Sequence, residues 1–263
     1  KRTIRKKVFA LVGKHPGENW IYRFLARHPD IKLGRPSGLD PKRAQSFNRK
    51  TVEDHFTLLG VLMDKYEIPW ENVYNMDEKG CQRGGGRGQS RLKYLLSRKR
   101  RTHHKLRSSN LELVTIVECV CADGSNLQPA FVFSGKQHSP EWWTTDPAIQ
   151  TFTTDNGWTN DFVGTEWFRD CFIPQSKEQN KSEKPILLIF DGHSSHSVDE
   201  IRNLALANNI HLFCLPPHTT HNLQPLDVGV FGTLQEAWKK RCDEVIIETG
   251  SEIPRPHFVR EYM

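Results

Sequence analysis

Hydrophobic and polar positions along the chain change period twice, and the changes divide it. Over residues 18–27, Trp20, Ile21, Phe24 and Leu25 fall on one helical face and Arg23 and Arg27 fall elsewhere, which predicts a short amphipathic helix closed by His28-Pro29. Residues 31–50 mix Gly, Pro and Ser with Lys and Arg without any period and read as a basic linker. Thr51-Val-Glu-Asp54 has the form of a capping box with Asp, and Val52, Phe56, Leu59, Met63 and Tyr66 recur at three- and four-residue spacing up to Pro69, predicting a connecting helix.

From residue 72 the pattern becomes that of strands. Residues 73–77, 111–121 and 127–133 are strand-like, the last two joined by an Ala-Asp-Gly-Ser-Asn turn, so the three form an antiparallel meander. A helix follows over 160–172, carried by Phe162, Val163, Trp167, Phe168 and Phe172, and then a polar loop at 175–184. Pro185-Ile-Leu-Leu-Ile-Phe190 is a continuous apolar run of strand length, as in a strand covered on both faces. A helix at 197–208, a strand at 210–215 and an amphipathic helix at 227–247 complete the order. The fold class is therefore α/β: a mixed sheet of three antiparallel strands and then parallel strands, with helices on both faces.

Charge adds a partner to this picture. The net charge of +6 hides two basic blocks: residues 1–52 sum to +11 and residues 79–111, which hold no acid, also sum to +11, leaving −16 for the rest. Two such blocks flanking a cluster of carboxylates suit a surface that neutralises phosphates. Arg23 and Arg27, on the outer side of the first helix, are candidate DNA contacts if that helix ends a helix-turn-helix module; an ordinary amphipathic helix has the same pattern. Arg98, Lys99, Arg100 and Arg101 fit phosphate contacts and a nuclear localisation signal equally well. Gly84 to Gly88 lacks the ending of a phosphate-binding loop and reads as a turn. The six cysteines form no CxxC pair, which suits free thiols in a reducing compartment, and no apolar run approaches the roughly 18 residues of a membrane span.

Three aspartates stand where chemistry is expected. Asp77 ends the first strand, Asp191 follows the buried run directly, and Asp227 opens the last helix. Groups just beyond strand ends gather at the rim of such a sheet. Strand alternation puts Asn75 and Asp77 on one face and Glu78 on the other. Carboxylates on three elements suit Mg²⁺ or Mn²⁺ and leave coordination positions for water and phosphate. Each could equally be a turn or cap residue. His193 and His196, with His218 and His221, form two HxxH pairs near the same strand ends, fitting either a zinc site or residues that orient phosphate and water.

Asn75-Met-Asp-Glu-Lys-Gly80, Leu188-Ile-Phe-Asp-Gly-His-Ser-Ser-His196 and the long string from Leu215 to Phe231 resemble the three acidic motifs of pogo-like transposases of the mariner superfamily, related to CENP-B and the Tigger and jerky proteins. The resemblance covers about residues 70–245. It implies a ribonuclease-H-like fold, with Asp77, Asp191 and Asp227 as the catalytic metal ligands for two Mg²⁺ or Mn²⁺ ions; 35 residues separate the last two. His193, His196 and His221 would then stand behind the ligands. It further implies DNA as partner, both transposon ends and target, a homodimer, no membrane and a nuclear location. The expected organisation is the end of a CENP-B-type helix-turn-helix domain with its linker at 1–50, a connecting helix at 51–71, a catalytic domain at 72–250 and the start of a truncated C-terminal segment at 251–263. Metal-dependent phosphodiester hydrolysis and strand transfer are the activity implied. A domesticated DNA-binding protein that does not cut, and a zinc-dependent hydrolase, are the alternatives.

Overall fold

The computed structural model describes residues 2–34, 40–85, 110, 112–192 and 198–263. The chain forms two compact units, Lys1–Asp40 and Pro41–Met263.

In the first unit α1 (Arg2–Val12) ends where Gly13, at φ +67°, donates its N–H to the Phe9 carbonyl. Phe9 stacks on His15 at 4.0 Å, and Arg5 Nε donates to the Pro16 carbonyl at 3.0 Å, closing the turn. α2 (Trp20–Arg27) is the expected amphipathic helix: Ile21 is buried, Trp20 stacks on Phe24, and Arg23 and Arg27 are exposed.

The second unit begins with two helices where a linker was expected up to residue 50. Pro41, with φ already suited to a first helical turn, opens α3 (Pro41–Ser46). α4 (Arg49–Tyr66) starts two residues before the Thr51 box, because Asn48 Oδ1 accepts the Thr51 N–H at 3.0 Å and so serves as the cap.

Six strands follow: β1 (Val73–Gln82), β2 (Leu113–Cys121), β3 (Ala130–Ser134), β4 (Thr151–Thr154), β5 (Ile186–Asp191) and β6 (Ile210–Leu215). Their order in the sheet is β4-β3-β2-β1-β5-β6. β1, β2 and β3 pair antiparallel as the meander predicts, while β5 runs parallel to β1, β6 to β5 and β4 to β3. β4, Thr-Phe-Thr-Thr, is an edge strand with one apolar residue and no alternation to betray it.

Between β4 and β5 the chain stays helical through α5 (Asp161–Trp167), a π turn at Phe168–Phe172 and α6 (Ile173–Gln179). The first half of the expected polar loop is therefore helix, since its Ser, Lys, Glu and Gln tolerate helical backbone well. α7 (Val198–Ala207) links β5 to β6; α8 (Thr220–Leu223), a π turn at Leu226–Val230, α9 (Phe231–Thr249) and α10 (Phe258–Tyr262) follow.

The sheet is covered on both faces. Tyr74, Val117, Cys119 and Leu188 pack one face against Val163, Trp167, Phe168 and Phe172. On the other face two clusters sit apart. Val73, Leu187, Ile189 and Leu215 meet Leu59, Leu62 and Met63 of α4, whereas Cys81, Ile116, Phe131 and Phe133 meet Trp238 and Cys242 of α9 and Phe258 and Val259 of α10. Period-two alternation puts Val73, Asn75, Asp77, Lys79 and Cys81 on this second face, so the stretch between Val73 and Cys81 runs in the interval between the two clusters. Trp142, fully buried, stacks on Phe133 at 3.8 Å and donates Nε1–H to the Arg255 carbonyl, fixing the C-terminal segment to the sheet.

Candidate active site

Asp77 does not end its strand. β1 continues to Gln82 along β2, with Asp77 opposite Glu118, but on its other edge β5 pairs only with Val73, Tyr74 and Asn75. Asp77 thus lies two residues beyond the last pair, Asn75 with Ile189, and Asp191, the final residue of β5, lies two beyond Ile189. Equal offsets on neighbouring parallel strands put both side chains on the same face. The strand end expected beside these acids is that of β5 and not that of β1.

Asp227 reaches this interval through a buried polar network. Asn75 Nδ2 donates to Gln224 Oε1 at 2.6 Å and to the Ile189 carbonyl at 3.0 Å. Gln224, fully buried, returns a bond from Nε2 to the Met76 carbonyl, and the Leu226 N–H donates to Asn75 Oδ1. Three bonds therefore hold Leu-Gln-Pro-Leu-Asp227 to β1 and a fourth ties Asn75 to β5, with both buried amides engaged, as buried amides require. Asp227 then sits, exposed, in the π turn at Leu226–Val230 and not at the cap of α9, which begins at Phe231 without a side-chain cap bond. Single-turn π segments of this kind recur at functional sites.

The electrostatics reflect this convergence. Burial, reinforced by the negative charges of Asp227 and Asp191, pushes the Asp77 carboxyl up to about 7, while the Glu78 N–H bonded to Oδ1 at 2.8 Å and the Gln224 side chain act in the opposite direction. Three acids in mutual range favour a cation among them. Their oxygens are hard donors that fit Mg²⁺ or Mn²⁺. Among the described residues no group of three or more His, Cys, Asp or Glu comes close enough to cage an ion unaided.

The remaining predicted residues are distributed as follows. His221 lies in α8, edge-on to Phe47 at 5.8 Å, and neither ring nitrogen has a hydrogen-bond partner among the described residues. His218 is exposed with a left-handed φ of 62°. His193, His196, Arg98, Lys99, Arg100 and Arg101 lie outside the described residues. Arg23 and Arg27 are in the first unit.

Sequence reasoning passed over Gln224 and took Asn75 only as a marker of strand face. Asn75 stands two residues before Asp77, and Gln224 three before Asp227, so each acid has an amide on its own segment that fastens it. Trp238 was also missed: its Nε1–H donates to the Gln82 carbonyl at 2.9 Å, on the stretch of β1 that β5 leaves unpaired.

Comparison with known proteins gives these elements a context. The family model described as DDE superfamily endonuclease matches residues 110–258, more than half of the chain, and includes Asp191 and Asp227. The chain is 34% identical over 197 residues to the MFS-type transporter clz9 of Cochliobolus lunatus, covering 74% of this chain and 21% of that protein. It is 34% identical over 68 residues to the Chaetoglobosin A biosynthesis cluster protein C of Chaetomium globosum, covering 26% of this chain and 17% of that protein. The chain therefore spans about a fifth of the length of these curated relatives. Among its described residues no helix is long and apolar enough to cross a membrane.

Among solved structures, the Mos1 mariner paired end complex with Mn is similar with a TM-score of 0.54 at 10% identity, over 100% of this chain and 74% of that one. A pre-cleavage Mos1 transpososome is similar with a TM-score of 0.53 at 11% identity, over 98% of this chain and 70% of that one. At such identity the likeness is one of fold, and the mixed sheet with its flanking helices is ribonuclease-H-like, as expected from the sequence.

Proposed function

The chain belongs to the DDE superfamily of endonucleases, and from that premise we propose that it is the catalytic core of a pogo-type DNA transposase. The observation that carries this reading is the levelling of Asp77 and Asp191 on neighbouring parallel strands, with Asp227 fastened beside them by the Asn75–Gln224 bond. Asp77, Asp191 and Asp227 would hold Mg²⁺ or Mn²⁺. Two such ions, when bound, activate an attacking oxygen and stabilise a leaving one during in-line displacement at phosphorus. The protein's own part is positional. Asn75 and Gln224 fix the third acid against the sheet, and the end of β5 leaves an opening through which a phosphodiester can approach. Hydrolysis at a transposon end and attack of the freed 3′-hydroxyl on target DNA are the two steps proposed, with a homodimer as the acting species. The solved Mos1 complexes include one with Mg and one with Mn, one with the left transposon end and a strand transfer complex, and they support metal and DNA as the partners to test.

The same reading divides the chain into the end of a helix-turn-helix domain and its linker at 1–50, a connecting helix at 51–71, the catalytic domain at 72–250 and a further segment from 251. It puts the protein in the nucleus, with residues 98–101 as DNA contact or address.

The test is incubation of the purified protein with labelled transposon-like DNA and Mg²⁺ or Mn²⁺, beside Asp191→Asn. Metal-dependent nicking that Asp191→Asn abolishes is the expected result. Nicking that survives the substitution removes the triad assignment, and binding without nicking in either metal replaces the transposase with a DNA-binding scaffold.

A further inference from the structure

Beside Asp227 lies an open cleft of about 720 Å³, lined by Lys79 of β1 and by Asp227, Gly229, Phe231, Gly232 and Glu236. Building on the proposed DNA-cutting reaction, we infer that Lys79 binds a backbone phosphate of the strand being cut, and that the turn leading into α9 forms the wall along which that backbone runs.

Three observations converge on this cleft. Lys79 follows Asp77 by two residues on the same face of β1, so its charge projects from the same side of the sheet as the central carboxylate. Its ammonium lies 5.3 Å from the centroid of the Phe231 ring, a contact that steadies a cation without neutralising it. Among the described residues no carboxylate pairs with Lys79; Glu236, on the same wall, has Lys239 as its partner at 3.5 Å. A lysine held by a ring, with no carboxylate paired to it among the described residues, is suited to an anion arriving from outside.

The wall itself is low where a chain would pass. Gly229, in the π turn, and Gly232, in the first turn of α9, are three residues apart; among the described residues a Cβ on either would meet nothing within 4 Å, and neither has a positive φ. Packing and backbone geometry therefore require glycine at neither position, although each costs about 1 kcal/mol relative to Ala in helical backbone. What both provide is clearance for another backbone to approach closely. Phosphate contacts of this kind fix position and carry no sequence information.

Fluorescence anisotropy with a fluorescein-labelled DNA duplex in EDTA, over about 50 to about 200 mM KCl, measures the contact directly, because one lost phosphate contact lowers the slope of log affinity against log salt by about 1. Lys79→Ala is expected to lower the slope by that amount and Lys79→Arg to keep it, with thermal melts confirming that both fold. Gly232→Leu, which raises the wall, is expected to weaken binding at least about tenfold with its salt slope near that of the wild type. An unchanged slope in Lys79→Ala overturns the assignment. The cutting assay with Asp191→Asn tests the reaction separately: nicking that survives that substitution removes the proposed reaction, while the Lys79→Ala slope still decides the phosphate contact. A wild-type chain that fails to bind the duplex overturns the inference and the proposed reaction together.

Discussion

Asn75 Nδ2 donates to Gln224 Oε1 at 2.6 Å across 149 residues of sequence, and this bond joins the strand that carries Asp77 to the segment that carries Asp227. Both amides are buried, and each makes further bonds to backbone. Gln224→Ala removes one of the three bonds of the Asn75 side chain and the side-chain partner of the Met76 carbonyl. The expected outcome is a loss of about 1–3 kcal/mol from urea denaturation, together with cleavage that falls further than DNA binding does. Wild-type cleavage in a variant destabilised by that amount would separate the network from the positioning of Asp227.

Asp77 is half-buried near two like charges, so its charge should cost stability when no cation is present. Asp77→Asn is expected to raise the metal-free unfolding free energy by about 0.5–2 kcal/mol while abolishing cleavage, the trade-off common at functional sites. Added Mg²⁺ should raise the melting temperature of the wild type and leave that of the variant nearly unchanged. Calorimetry of both proteins with and without metal checks this, and equal metal-induced shifts would count against Asp77 as a ligand.

His55 is buried against the rings of Phe56 and Phe213, and burial lowers its pKa. A histidine whose folded pKa is depressed takes up its proton more readily when unfolded. Its contribution is therefore fully present above the unfolded value of about 6.5 and is lost as pH falls from there towards the folded value. Urea midpoints of the wild type should drop on acidification through that window, and His55→Phe should drop less.

Trp142 offers a stability test away from the acids. Fully buried, stacked on Phe133 and bonded to the Arg255 carbonyl, it should cost about 3–5 kcal/mol when replaced by Ala, measured by chemical denaturation. The residual stability decides whether the C-terminal segment detaches first. Limited proteolysis should then cut near Arg255 before the sheet.

Much of this fold is legible because its central elements carry their burial in their composition. Ile186 to Ile189 are all buried in β5, and a continuous apolar run of strand length after Pro185 fits a strand covered on both faces. The meander of β1 to β3 and the amphipathic α2 follow from period alone. β4 does not, since Thr-Phe-Thr-Thr has no pattern and gains strand geometry only by pairing with β3. The start of α4 escaped for a different reason: Asn48 and Thr51 are both competent caps, and sequence offers no way to choose between them. At the site the aspartates stand out as residue types, but what brings them together does not. Asn75 meets Gln224 only after the sheet has formed, and the end of β5 beside a continuing β1 is a property of pairing.

That unequal length of β1 and β5 has a consequence for how the molecule guards itself. Beyond Asn75 the outer edge of β1 has no strand partner among the described residues, and a bare edge invites pairing with another chain. Two side chains occupy it instead: Gln224 takes the Met76 carbonyl and Trp238 the Gln82 carbonyl, at the two ends of the gap. Between them Asp77 and Lys79 add opposite charges that a foreign strand would have to bury. The opening is thereby closed to β-strands while remaining open to a flexible polyanion.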